Sequence, residues 1–371
     1  MSKGRVFVGM SGGVDSSVAA WLLKKQGYEV TGCTMRLYDY TGIGLEEQNS
    51  CCGIKDVDDA RAVAGRIGIE YLALNLMENF REEVMDHFVQ EYLDGHTPNP
   101  CIDCNRCLKF GRLLSWAKEH GFDYVATGHY ARRLFLDGRW YLRKAADLSR
   151  DQSYVLYPVS QEVLSSLLFP LGGLKKTEDV RRIAEEQGFV NARKHDSQDI
   201  CFVPDGDYAS FIARMIRMEP ERFCAQKELP ACLMPGSILD RGGRVLGRHR
   251  GAVHYTIGQR RGLGLAVPES VYVLSKDMQA NTVTVGPNEA LFSRELTVKN
   301  LVWQRPVPEE GESFRARVRI RYQHREQEAI ITALPGALAR VVFDEAQRAV
   351  SPGQAAVFYD GDLVLGGGTI L

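Results

Sequence analysis

No stretch of this chain runs to about 18 consecutive apolar residues, so no segment reads as a membrane-crossing helix and no membrane partner is expected. A charge surplus is missing too: 46 Lys and Arg stand against 47 Asp and Glu, a net charge of −1. That balance gives no global sign of nucleic-acid binding, and any RNA surface has to be a local basic patch. There are no internal repeats and no low-complexity segments. What remains, 44% hydrophobic and 25% charged, is the composition of an ordinary globular protein. The N-terminus has no signal-peptide pattern and leads straight into a strand. Nine cysteines without a secretory signal point to a reducing, cytoplasmic setting, where closely spaced cysteines are more often catalytic or metal-binding than disulfide-bonded. At 371 residues the chain exceeds one typical core, so two or three domains are expected.

The Walker A signature is also absent. No Gly-Lys-Ser/Thr follows the first strand, and Lys24 and Lys25 fall about two helical turns, ~10 Å, beyond the glycines. What stands there instead is the most informative part of the sequence. Residues 6–10 are a short apolar run of the kind that forms a buried parallel strand. Ser11-Gly12-Gly13 permits a tight turn and a close approach by a ligand, because glycine reaches positive φ without strain. Asp15, Ser16 and Ser17 then open an apolar helix over 18–25, closed by Gly27. Strand, turn and helix start together make a phosphate cradle, with free N–H groups and the positive helix end facing the anion. Ser11-Gly12-Gly13-Val14-Asp15-Ser16 resembles the signature of the PP-loop ATP pyrophosphatases, which cleave ATP between the α and β phosphates and place AMP on a substrate oxygen.

Strands are expected over 28–35, 69–74 and 123–127. Helices are expected over 57–67, 80–93 and 105–119, the first with Asp56, Asp58 and Asp59 in its opening turn. A helical stretch over 161–187 completes this part. The rhythm predicts an α/β doubly wound parallel sheet over residues 1–205, with ligands at the carboxyl ends of its strands, where 10–16 and 127–129 fall. Beyond it, a helix over 207–221 and short glycine-rich β runs read as a small linking domain over 206–285. Alternating segments at 314–322, 328–333, 339–343 and 354–359 predict a compact antiparallel β-barrel over 286–371.

Two further segments carry chemistry. Thr97-Pro98-Asn99-Pro100-Cys101-Ile102-Asp103-Cys104-Asn105-Arg106-Cys107 begins extended, held so by its prolines, and a helix starts soon after. A cysteine near that helix start would have its thiolate favoured by the dipole, with Arg106 and Lys109 adding to the effect. His195-Asp196-Ser197-Gln198-Asp199-Ile200-Cys201-Phe202 presents another lone cysteine on a loop. Cys51 and Cys52 precede a helix and read as structural, since buried free cysteine packs as a small apolar residue. His129, at the expected ligand edge, fits an acid/base role, an RNA contact or a structural histidine. Arg241, Arg244, Arg248, His249, Arg250, Arg260 and Arg261, interleaved with glycine and Tyr255, form a basic stretch suited to clamping phosphates. Arg317, Arg319, Arg321 and Arg325 alternate as if along one basic strand face.

In their joint order and spacing these segments resemble the tRNA-specific 2-thiouridylases of the MnmA family over essentially the full length. The residues that carry the likeness are 9–16, 97–100 with Cys104-Asn105, Thr127-Gly128-His129-Tyr130, Asp151-Gln152-Ser153-Tyr154, Asp196-Ser197 with Ile200-Cys201-Phe202, 255–264, and Arg321-Tyr322. The resemblance implies ATP-dependent 2-thiolation of the wobble uridine of tRNA. ATP with Mg²⁺ adenylates the C2 oxygen. Sulfur, carried as a persulfide on Cys201, attacks C2 either as the persulfide or as released hydrosulfide, and Cys104 resolves it by forming a disulfide with Cys201. A donor protein, in a relay from a cysteine desulfurase, would supply the persulfide. By the same resemblance Asp15 would orient Mg²⁺-bound pyrophosphate. Gly9, Met10, Ser11, Gly12, Gly13, Val14, Asp15, Ser16, Met35 and Gly128 would hold ATP. Asn99, Pro100 and Cys101 would lie against the target base. His129, Arg150, Asp151, Gln152, Arg260, Arg321, Tyr322 and Gln354 would contact tRNA.

The sequence departs from the best-known members at Cys101, where they carry aspartate. Cys101, Cys104 and Cys201 make three thiolates, the set with which other thiolation enzymes hold a [4Fe–4S] cluster with one open iron. Cys107 could add a fourth ligand for zinc. Persulfide pair, cluster and zinc therefore all stay open. Two other functions compete: a PP-loop ligase acting on a small metabolite, which would need no cysteines in its site loops, and a nucleotide-gated sulfur carrier without catalysis of its own.

Overall fold

The computed structural model describes residues 2–38, 54–194, 200–223 and 229–371. The expectations placed on Cys51, Cys52 and 195–199 lie outside the described residues. Strand β1 (Arg5–Gly9) leads through the glycine turn into helix α1 (Val14–Lys25), and β2 (Glu29–Arg36) follows. Helix α2 (Ile54–Ile67) and β3 (Glu70–Asn75) come next. Helix α3 runs through Met77–Phe80, Arg81–Asp86 and His87–Leu93. Helix α4 runs through Pro100–Asp103, Cys104–Arg112 and Leu113–Glu119, and leads to β4 (Tyr124–Thr127). The hairpin β5 (Ala131–Leu136) and β6 (Arg139–Lys144) precedes a short β7 (Leu167–Leu168).

The first sheet has the order β3-β2-β1-β4-β7 and is parallel at each pairing. Both of its faces are buried. On β1, Val6 and Val8 pack towards α1 and α2, and Phe7 packs towards α4. The chain moves outward from β1 through β2 to β3, then returns to place β4 on the other side of β1. The strand order thus reverses at β1, and the carboxyl ends of β1 and β4 lie side by side at the switch point of the sheet.

The helix expected over 161–187 is broken. Gln161–Ser165 is followed by β7, a turn, and a second helical piece through Lys176–Val180 and Arg181–Glu186. Pro170 and the two glycines after it interrupt the run, and a Cβ on Gly172 would lie 1.8 Å from the Ala131 carbonyl oxygen. Helical periodicity on both sides hid the gap.

After the helix Tyr208–Met218, β8 (Gly236–Leu239), β9 (Val245–His249), β10 (Tyr272–Asp277) and β11 (Thr282–Gly286) form a second sheet in the order β10-β11-β8-β9. The last strands are β12 (Phe292–Trp303), β13 (Ser313–Arg319), β14 (Gln327–Leu334), β15 (Leu338–Arg348), β16 (Ala355–Asp360) and β17 (Leu363–Ile370). They close into a six-stranded antiparallel barrel through the pairing of β12 with β17. The hairpin β5–β6 hangs from β17 at Leu363 and Arg143, so the barrel sheet reaches into the first half of the chain.

Candidate active site

The first site element is the turn after β1. Gly12 has φ +74, and a Cβ there would fall 2.4 Å from the Asp56 carbonyl oxygen, so only glycine fits. Gly13 caps α1 without a side chain, which leaves the first N–H groups of the helix free of side-chain capping. The turn is held from behind. Ser16 Oγ donates to the Gly13 carbonyl and receives the Ser11 N–H, both at 3.1 Å. Asn191 Nδ2 donates to the Gly12 carbonyl and to Ser17 Oγ, each at 2.9 Å. Lys194 bonds Asp59 at 2.7 Å, pairs with Asp56 and reaches the Gly12 carbonyl at 3.3 Å. Gly128, just past β4, closes the other side, since a Cβ on it would lie 2.6 Å from Ser16 N. Met10 is tied to β2, its N–H bonding the Cys33 carbonyl at 2.7 Å, and Met35 packs partly buried on that strand. The arrangement is a glycine-lined anion cradle at the switch point of a parallel sheet.

Asp15 lies on the first turn of α1 with both oxygens engaged. Tyr130 Oη donates to Oδ1 at 2.8 Å, and the buried Lys176 ammonium meets Oδ2 at 2.7 Å. Sequence reasoning missed Lys176, Asn191 and Lys194. They come from segments far along the chain, and nothing in their local pattern points to the cradle.

The second element is the loop before α4. Asn99 caps the helix by accepting the Cys101 N–H at 3.2 Å, with Pro100 in the first turn. The helix thus begins five residues earlier than the sequence suggests, and this changes the reading of the cysteines. Cys101 sits exposed in the first turn. Cys104 lies a turn further in, buried, and burial pushes its thiol up to about 11 even though Lys109 opposes the shift. The expected helix-start activation of Cys104 is therefore overridden by desolvation. Arg106 turns away to Asp103 at 2.8 Å and to the half-buried Cys107.

Cys104 and Cys201 pack into one apolar cluster around Phe202, whose ring lies 5.3 Å from that of Phe88. Neither is disulfide-bonded in this structure, and Tyr38 Oη donates to the Cys201 carbonyl at 2.7 Å. Among the described residues no group of three His, Cys, Asp or Glu side chains is arranged to hold a metal. Cys101 is exposed, Cys104 buried and Cys201 half-buried.

A family described as "tRNA methyl transferase HUP domain" matches residues 4–205. "tRNA methyl transferase PRC-barrel domain" matches 226–287, and "Aminomethyltransferase beta-barrel domain" matches 293–370. The chain is 46% identical over 373 residues to the tRNA-specific 2-thiouridylase MnmA of Acetivibrio thermocellus, covering 100% of both chains. It is 47% identical to that of Geotalea uraniireducens, covering 99% of this chain and 94% of the other, and 46% identical to that of Carboxydothermus hydrogenoformans, covering 100% and 98%. The chain belongs to the MnmA family of tRNA-specific 2-thiouridylases.

The structure places the remaining expected MnmA-type contact positions unevenly. His129 is buried, with Nδ1 2.7 Å from Thr127 Oγ1, and burial together with Lys109 holds it well below the usual histidine range, so it stays neutral. Arg150 is exposed and precedes Asp151, whose carboxylate is buried and accepts from Ala145 N, Ser153 N and Ser153 Oγ. Gln152 Oε1 accepts the Tyr130 N–H at 2.8 Å. Tyr322 is partly exposed, its Oη reaching the Asp151 carbonyl at 3.4 Å. Arg321 is half-buried and donates to the Arg348 carbonyl at 3.1 Å. Gln354 Nε2 donates to the Thr97 carbonyl at 2.6 Å.

The single basic strand face does not form. β13 ends at Arg319, Arg321 and Arg325 fall in the turn beyond it, and Arg317 is paired with Glu328 at 2.8 Å. The basic stretch of the second sheet does present exposed cations: Arg241, Arg244, Arg248, Arg250, Arg260 and Arg261 are all exposed, while His249 is buried against the Asn281 carbonyl.

Proposed function

We propose that this chain is an ATP-dependent sulfurtransferase that exchanges O2 of the tRNA wobble uridine for sulfur. The observation that carries the reading is the presence of three parts within residues 9–201. These are a PP-loop cradle, a proline-held loop presenting Asn99, Pro100 and Cys101, and two thiols, Cys104 and Cys201, in one cluster. In this reading ATP sits on residues 9–16, Met35 and Gly128. The uridine lies against the 99–101 loop, and the exposed arginines of the second sheet, Arg260 among them, hold the tRNA backbone.

O2 attacks the α-phosphorus and pyrophosphate leaves, which converts a poor leaving group into AMP. Cys201 carries a persulfide from a donor protein. The Cys104 sulfur attacks the Cys201 sulfur, a Cys104–Cys201 bond forms, and hydrosulfide departs with the electron pair to attack C2. Asp15 would supply a hard oxygen ligand for Mg²⁺, and Mg²⁺ would supply charge neutralisation at the pyrophosphate. Asp15 is now bound by Lys176 and Tyr130, so the metal would have to take over that carboxylate. Work on tRNA fits a cytoplasmic protein, and among the described residues no helix is long and apolar enough to cross a membrane.

The test is reconstitution with unmodified tRNA, ATP, Mg²⁺ and a persulfide donor, followed by nucleoside mass spectrometry and counting of AMP. One 2-thiouridine per AMP supports the reading. ATP turnover without thiolation leaves a gated carrier instead.

A further inference from the structure

Lys109 brings a positive charge to the helix that carries Cys104. Among the described residues it makes no hydrogen bond and no ion pair, whereas Arg106, three residues earlier, is taken by Asp103 and Cys107. Its aim follows from the backbone. Cys104–Arg112 is π-helical. The i→i+5 register brings residue 109 back towards the azimuth of residue 104, where an α-helix would leave it roughly 140° away. The Lys109 charge acts on both the Cys104 thiol and the His129 imidazole, and the ring of its neighbour Phe110 lies 6.0 Å from that of His129. Gly128, next to His129, presses on the first turn of α1. Lys109 therefore lies within electrostatic reach of Cys104 and of His129, and His129 directly follows the glycine that packs on the cradle.

We propose that Lys109 is a catalytic residue whose ammonium binds a non-bridging oxygen of the α-phosphoryl group through both halves of the reaction. The inference rests on the function proposed above, because only that chemistry puts an α-phosphoryl group between cradle and thiols. In the first half O2 bonds to the α-phosphorus, the bond to the bridging oxygen of the β-phosphate breaks, pyrophosphate leaves with the electron pair, and N3 loses its proton. In the second half sulfur bonds to C2, the C2–O bond breaks, AMP leaves with the pair, and N3 regains a proton. Negative charge rises on the α-phosphoryl oxygens in both, and a fixed point charge there lowers both barriers.

The test compares wild type with Lys109→Met, Lys109→Gln and Lys109→Arg. It measures tRNA-dependent ATP–pyrophosphate exchange, 2-thiouridine formation, tRNA affinity and thermal unfolding. Lys109→Met should bind tRNA and melt like wild type yet lose about 100-fold in both exchange and thiolation kcat. Lys109→Arg should recover part of each, and Lys109→Gln stands in should the methionine variant misfold. Exchange within roughly three-fold of wild type overturns the proposal. That includes the case where thiolation alone falls, which would put Lys109 on the sulfur side only. A wild type that neither exchanges nor thiolates overturns the function proposed above, and this assignment with it.

Discussion

Thr97 and Gln354 lie 257 positions apart, yet the Gln354 side-chain amide donates to the Thr97 carbonyl at 2.6 Å. The Thr97 N–H is held as well, by the Pro352 carbonyl at 2.9 Å. The barrel turn thus grips both peptide groups of the residue that begins the proposed base-contact loop. Gly353 makes the grip possible: its φ is +87, and a Cβ on it would lie 2.8 Å from His96 Cβ and 2.9 Å from Thr97 N. Gly353→Ala should cost about 2 kcal/mol through strain and displacement, and thiolation should fall further than tRNA affinity does. Gln354→Ala should cost about 1 kcal/mol. Thermal unfolding and tRNA-binding isotherms check both, and wild-type values for Gly353→Ala would show that the barrel does not hold the loop.

The Asp15–Lys176 pair predicts a non-additive result. Asp15→Ala removes the carboxylate proposed for the nucleotide site and takes from the buried Lys176 ammonium its 2.7 Å partner. Stability should drop by about 2–3 kcal/mol along with activity. Adding Lys176→Met should restore stability but not activity. A double-mutant cycle by chemical denaturation reads the coupling, and strictly additive losses would contradict it.

Thiol labelling separates the cysteines of α4. Cys101 is exposed, and Cys104 is buried with its thiol pushed up to about 11. With substoichiometric iodoacetamide at pH 8, peptide mass spectrometry should find Cys101 alkylated well before Cys104. Equal rates would mean that the resting protein opens at Cys104.

His87 carries a pH signature. Its hydrogen bond to Asp103, at 3.0 Å, raises its pKa above 6.5 against the opposing effect of burial, with Glu91 adding and Arg106 subtracting. Because the folded value is the raised one, the contribution to stability is fully present below pH 6.5. It fades as pH climbs through the higher folded value. The stability gap between wild type and His87→Gln should be widest under acid conditions and close on the alkaline side. His87 is 45% exposed, so the effect should be modest and salt-sensitive. A gap that does not change between pH 5.5 and 8.5 would exclude it.

The amino-acid sequence by itself determined the cradle and the layer order. Apolar runs of period two and helices of period 3.6 are local signals, and Gly12 and Gly13 are demanded by a turn only a few residues long. The parallel sheet, α1 and the barrel strands β13 to β16 were legible for that reason. The tertiary structure decided what depends on distant partners. It showed that Cys104 is desolvated rather than activated by the helix start, because Phe80, Phe88 and Phe202 reach it from other segments. It gave Asp15 its lysine, buried the Asp151 carboxylate, spent Arg317 on Glu328, and set Lys109 apart from Arg106 as a cation with no hydrogen bond or ion pair among the described residues. Charge pairing and burial are sums over neighbours brought together by folding, and spacing along the chain does not contain them.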